Sequence, residues 1–251
     1  IVDWHAAISH AHTNSLLLTN QGGRIAQELS QLFPSLSVSA YKNNINQTRS
    51  LGFAGESQQG GLEVLKTIHF DDRAQQLNTE VQQLLDAKNC PDGNMDLILK
   101  PNQMMLQIHE SIGHPLELDR ILGDERNYAG TSFVDLSMFG TYMYGSPLLN
   151  VSFDPSLENQ LASYGFDDDG RRAEKVMIIE NGLLKQPLGG DLSCSRVTGL
   201  SGTANARASS WNRPALDRMA NLNIEPGDDS LASMISATEN GVLMDTNCSW
   251  S

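Results

Sequence analysis

The sequence predicts an α+β protein, with an N-terminal α/β part over residues 1–92 and a β-rich part over residues 93–251 that begins with a strand and a helix. Apolar residues recur at helical spacing after Phe70, which sets a helix in the first part. The run Cys90-Pro91-Asp92-Gly93 breaks that pattern and marks the boundary. Past it, residues 126–210 read mainly as short strands and Gly-rich turns.

In the first part, Leu36, Val38 and Ala40 alternate with Ser37, Ser39 and Tyr41, the pattern of a half-buried strand. Ile25, Leu29, Leu32 and Phe33 have helical spacing, yet they follow Gln21-Gly22-Gly23 as the second strand of a hairpin would, so periodicity leaves both open. Gly52 to Gly61 contains four glycines and reads as a loop. Ala74, Leu77, Val81, Leu84 and Leu85 share one helix face. Asp71 and Asp72 sit at that helix's start, where its dipole favours negative charge. After the boundary, Leu97-Ile98-Leu99 reads as a short buried strand. Pro101 then opens a second helix with Met105, Ile108 and Ile112 on its apolar face. Val176 to Glu180 and Leu183 to Gln186 flank Asn181-Gly182, the strongest hairpin pattern in the chain.

The formal charge of −13 argues against nucleic acid as a partner, because phosphate binding runs on Lys and Arg, and it disfavours an anionic membrane surface likewise. With 39% hydrophobic residues the chain is able to bury a core, while nowhere do about 18 apolar residues run together as a membrane-spanning helix needs. Cys90, Cys194 and Cys248 are odd in number and widely spaced, which suits a reducing compartment and a cytoplasmic location. No basic start followed by an apolar stretch is visible, and the chain opens on Ile1 and stops abruptly at Ser251. Both parts are therefore read as truncated, the first at its start and the second at its end.

The chemistry concentrates in His109-Glu110-Ser111-Ile112-Gly113-His114. Composition alone predicts roughly 0.007 such arrangements, so chance is a poor explanation. Two histidines five apart are rotated about 500° on an ideal helix, some 140° out of alignment. A π-bulge would restore a shared face. Alternatively the helix ends near Gly113, because Pro115 disfavours helical backbone at His114 and lets that ring swing back. If both imidazoles hold one metal, zinc is the natural choice. Glu110, beside the first ligand, is then placed to take a proton from water and pass it to a leaving amine. The competing reading is a pair of satisfied surface histidines.

Wider motifs favour the metal. The run Gln107 to Asp119, then Ala129-Gly130-Thr131-Ser132, Asp167-Asp168-Asp169-Gly170, Ile179 to Lys185, Pro214, Arg218-Met219-Ala220-Asn221, Pro226-Gly227 and Glu239-Asn240-Gly241 together resemble the TldD/PmbA family. These are zinc metallopeptidases also called modulators of DNA gyrase, and the likeness is to the TldD-like, metal-bearing branch. The resemblance runs from about Thr19 onward. It implies His109 and His114 as zinc ligands and Glu110 as the catalytic carboxylate. It also implies hydrolysis of peptide bonds in peptides or unfolded polypeptides, and a dimer with itself or with a metal-free relative. The gyrase in the family name does not require contact with DNA. The family's third ligand is a cysteine in a C-terminal stretch not found here. Cys248 is nearest by position, but its surroundings do not match. The alternative function is an inactive fragment or peptide-binding partner subunit.

Other features read as structural. Cys90 and Cys194 are expected to be small buried hydrophobes, and Trp4, Trp211 and Trp250 to pack inside. Asp167 to Gly170 lacks the remainder of a calcium loop and reads as a turn. Glu117 and Asp119 could ligate from just after the motif, although a structural ion pair is the preferred reading. Gly52 to Gly55 with Gly60-Gly61 form no phosphate loop, and His5, His10 and His12 are given no metal role.

Overall fold

The computed structural model describes residues 2–51 and 56–247, so Gly52 to Gly55, Cys248 and Trp250 lie outside the described residues. In chain order come β1 (Val2–Leu18), β2 (Arg24–Lys42), β3 (Ile45–Ser50), β4 (Gln58–Gln59), α1 (Glu63–Thr67), α2 (Phe70–Leu85), β5 (Asp96–Leu99) and α3 (Pro101–Ile108). A π-helical turn (His109–Gly113) follows, then α4 (His114–Leu116), α5 (Leu118–Leu122), β6 (Val151–Phe153), β7 (Val176–Glu180), β8 (Leu183–Leu184), α6 (Asp191–Cys194), β9 (Ala206–Arg207), β10 (Leu216–Asp217), β11 (Leu222–Ile224), α7 (Leu231–Ala237) and β12 (Gly241–Met244). The fold is α+β.

Two compact units interleave along the chain. One comprises Ile1–His12, Ser30–Met105 and Asp229–Ser251, the other Thr13–Leu29 and Leu106–Asp228. Residues 92 and 93, at the break read from the sequence, both belong to the first.

The first unit holds Ser30–Lys42 of β2 together with β3 and β4, which both pair antiparallel with β2; the order along that sheet is β1-β2-β3. Thus Ile25 to Phe33 is strand, the hairpin alternative, and Gln58 and Gln59 interrupt the expected loop. Asn43 and Asn44, at φ 51° and 65°, make the tight β2–β3 turn that their tolerance of left-handed backbone allows. Leu32, Leu36, Val38 and Ala40 enter a core shared with Leu77, Val81 and Leu85 of α2. The strand β5 pairs in parallel with β12, setting Leu97 opposite Val242. Leu97 is nonetheless exposed, which corrects the buried-strand reading, because β5 belongs to a two-stranded ribbon rather than to a covered sheet.

In the second unit an antiparallel sheet of order β11-β6-β7-β8 carries the core. Val151, Phe153, Ile178, Ile179, Leu184 and Leu188 are fully buried, joined by Ile112 and Leu116 from beside the π turn. Asn181 and Gly182, at φ 51° and 78°, form the β7–β8 turn expected of them. Asp167 to Gly170 is likewise a turn, closed by Gly170 N–H donating to the Asp167 carbonyl at 3.0 Å.

Two further expectations fail. Trp4 and Trp211 are 70% and 95% exposed, Trp4 because almost all of β1 is open to solvent on both faces, Trp211 because it sits in a turn. Cys90 is exposed in the segment after α2, whereas Cys194 is buried as expected.

Candidate metal centre

Pro101 starts α3, where its missing N–H costs nothing, and the helix runs regularly to Ile108. At His109 the hydrogen bonding widens, and the His114 N–H donates to the His109 carbonyl, five residues back. That bond stacks residues five apart, the first of the two routes open to this spacing. The rings of His109 and His114 meet edge to face with centroids 4.4 Å apart.

Two features hold the wide turn. Pro115 has no N–H to offer the Ser111 carbonyl four residues before it, and the Tyr144 hydroxyl donates to that oxygen at 2.5 Å instead. Burial pushes the Tyr144 phenol up to about 12, so it remains a donor at any physiological pH. The Ser132 hydroxyl donates to the Pro115 carbonyl at 2.7 Å. Gly113 gives the turn its room, since a Cβ there would sit 2.2 Å from the sulfur of Met219.

Beyond His114 the chain turns extended at Glu117 (ψ 118°), where it pairs in parallel with Leu188. Leu188 N–H donates to the Leu116 carbonyl and Leu118 N–H to the Leu188 carbonyl, both at 2.8 Å. This interruption turns the Glu117 side chain into the interior, where it is fully buried. Its Oε2 lies 2.9 Å from His114 Nδ1 and 3.2 Å from the Arg120 guanidinium, while Oε1 accepts the Met219 N–H at 3.2 Å. The Arg218 guanidinium stands 3.8 Å from Oε2 and donates to Glu125 at 2.8 Å.

One step further out, Asp119 and Asp217 exchange backbone bonds. Each carboxylate accepts the other's N–H, at 2.9 and 3.1 Å, and Arg218 lies 3.6 Å from Asp119. Burial, and then the Asp217 charge, push the Asp119 carboxyl up to about 6. Glu117 and Asp119 are thus partners in an ion-pair network, the preferred of their two readings.

His109, Glu110 and His114 each offer a donor atom within 4.8 Å of the other two. His109 and Glu110 are about half exposed, so solvent reaches them. Burial first, and the neighbouring His114 second, hold His109 below the ordinary histidine pKa, which favours the neutral ring a metal requires. The His114 Nδ1 is engaged by Glu117, which leaves Nε2 as its free donor. The two imidazole nitrogens are donors that zinc takes readily, with the Glu110 carboxylate beside them. Among the described residues no cysteine joins the group. Sequence reasoning passed over Arg120, Tyr144 and Arg218 as parts of this site, and for Tyr144 nothing local in the sequence pointed to it.

Residues 92–250 match the family model described as the PmbA/TldA metallopeptidase C-terminal domain. The chain belongs to the PmbA/TldD metallopeptidase family. It is 30% identical over 230 residues to a metalloprotease of Methanocaldococcus jannaschii, covering 91% of this chain and 48% of that protein. A zinc metalloprotease TldD homolog of Saccharolobus solfataricus is 33% identical over 153 residues, covering 61% of this chain and 32% of the relative. Among solved structures, TldE from Thermococcus kodakarensis shares the fold at a TM-score of 0.68 and 19% identity, over 99% of this chain and 51% of that one. The chain thus spans about half the length of curated relatives that it matches over nine-tenths or more of its own length. Segments that carry the family resemblance meet around the π turn: Ser132 at Pro115, Met219 at Glu117, and Arg218 at Glu117 and Asp119.

Proposed function

We propose that this chain carries the zinc site of a metallopeptidase that hydrolyses peptide bonds in peptides or unfolded polypeptides, with His109 and His114 as ligands and Glu110 as the catalytic carboxylate. One observation carries the reading: the π turn holds both imidazoles and Glu110 within 4.8 Å of one another at a solvent-accessible edge. Zinc, when bound, supplies Lewis-acid activation of a water and of the scissile carbonyl. The chain's own residues do the rest. His109 and His114 hold the ion as nitrogen donors, and Glu110, whose carboxylate lies 3.9 Å from His109 and is about half exposed, takes the proton from water and returns it to the leaving amine. Membership of a metallopeptidase family and the zinc named for the Saccharolobus solfataricus relative support the same assignment.

The test is Glu110→Gln in the complete protein. Zinc content stays stoichiometric by elemental analysis, while peptide cleavage falls by roughly two to four orders of magnitude. Undiminished cleavage removes Glu110 from the chemistry. A second reading, peptide binding without catalysis, is favoured by the lack of a cysteine in the donor group among the described residues. It predicts weak, substoichiometric zinc and no chelator-sensitive cleavage.

A further inference from the structure

We infer that Glu117 is a positioning residue: it fixes the His114 ring as the tautomer protonated on Nδ1, so that Nε2 presents a bare lone pair. The inference rests on His114 being a ligand, and it concerns how that ligand is held. As an ionised carboxylate paired with Arg120 and Arg218, Glu117 only accepts hydrogen bonds, so the 2.9 Å contact between its Oε2 and His114 Nδ1 places the proton on the nitrogen. The Arg120 guanidinium lies 3.2 Å from both Nδ1 and Oε2. It only donates, and donation to Nδ1 would force the ring proton onto Nε2 and leave Glu117 facing a bare nitrogen lone pair across 2.9 Å. Donation to Oε2 satisfies all three groups at once.

The surroundings fit that role better than a ligand's. Glu117 is fully buried, its Oε1 is taken by the Met219 N–H, and its charge is balanced by Arg120 and by Arg218 at 3.8 Å. It approaches the ring from the Nδ1 side, opposite the nitrogen left for a cation. The extended backbone at Glu117, pinned to Leu188 on both sides, holds the carboxylate there independently of any metal. A carboxylate behind a histidine in this way orients the ring and raises its basicity as a ligand, and losing such a partner typically weakens metal binding about 10–100-fold.

The test uses the full chain with 15N-labelled histidine. Long-range proton–nitrogen spectra of the metal-free protein are expected to give His114, assigned through His114→Gln, as the Nδ1-protonated tautomer. Glu117→Gln is expected to shift the ring toward Nε2 protonation and to raise the zinc Kd, measured against a competing chelator, about 10–100-fold. Glu117→Asp, which keeps the acceptor, recovers part of both. A role confined to holding Arg120 and Arg218 would alter stability and leave the tautomer unchanged. An Nε2-protonated His114 in the unmutated protein overturns the inference, as does a Glu117→Gln protein with tautomer and zinc Kd both unaltered. The unmutated spectrum decides even where the variant fails to fold. It also stands apart from the metal assignment, which fails if the unmutated chain binds no zinc whatever its tautomer.

Discussion

Gly113 gives the sharpest test of how the π turn is packed. Its backbone is right-handed helical (φ −59°, ψ −69°), so alanine is conformationally acceptable and gains about 1 kcal/mol of helix propensity. Against that, the added Cβ would lie 2.2 Å from Met219 Sδ, 2.7 Å from its Cε and 2.9 Å from Leu222 Cδ1. Met219 is itself buried within the second unit's core, so shifting the end of its side chain disturbs the neighbours packed against it. Overpacking of this kind costs about 1–3 kcal/mol, which outweighs the propensity and leaves Gly113→Ala destabilising by up to about 2 kcal/mol. Met219→Ala removes the two closest atoms. In that background only the 2.9 Å approach to Leu222 Cδ1 is left, so most of the overpacking goes and Gly113→Ala costs clearly less than it does beside Met219. Urea denaturation of the four proteins, with an unchanged denaturant slope, reads a coupling of about 1–3 kcal/mol. An equal cost of Gly113→Ala in both backgrounds would refute the packing argument.

Three further outcomes follow from the geometry. Tyr144→Phe deletes only the donor to the Ser111 carbonyl, and a part-buried acceptor left unanswered costs about 1 kcal/mol, read as a lower denaturation midpoint together with a weaker zinc Kd. Gly182→Ala combines φ 78° with a Cβ 2.6 Å from the carbonyl oxygens of Gly145 and Ser146, backbone atoms with little freedom to retreat. It should cost more than the 1–2 kcal/mol of left-handed backbone alone, while Asn181→Gly in the same turn stays within about 1 kcal/mol by thermal denaturation. Asp119 titrates at about 6 when folded against 3.8 ordinarily, so its contribution to stability is full below pH 3.8 and is lost as pH rises through 6, by at most about 3 kcal/mol. Because Asp217 raises it, the cost of Asp217→Asn should be smaller at pH 7 than at pH 4.5. A larger cost at pH 7 would contradict the repulsion between them.

What was legible in the sequence was local. The helix α2 announced itself because one face of it meets a core and the rest meets water, and the β7–β8 turn did so because Asn-Gly supplies two left-handed residues in succession. The strand β1 gave no such sign. Nearly every residue in it is exposed, so neither face is selected to be apolar, and Trp4 is accommodated on an open strand instead of in a core. Pairing of β5 with β12 joins segments some 145 residues apart along the chain, and no periodicity encodes a partner at that range.

The candidate site divides along the same line. Donor types could be read from His109, Glu110 and His114, but whether two histidines five apart share a face depends on whether every carbonyl between them is answered by its own helix. Pro115 withdraws one of those answers, which makes a regular α-helical turn costlier without dictating what replaces it. The replacement donor, Tyr144, arrives from 33 residues away, and the close approach of the turn to Met219 is possible because residue 113 is glycine. The same holds for Glu117. A helix continuing regularly past His114 would also set residues three apart on one face, yet it is the extended residue at 117, fixed by Leu188, that sinks the carboxylate beneath the ring. The ligand set is therefore a property of one short segment, whereas its alignment belongs to the sheet and loops that answer that segment's irregular backbone.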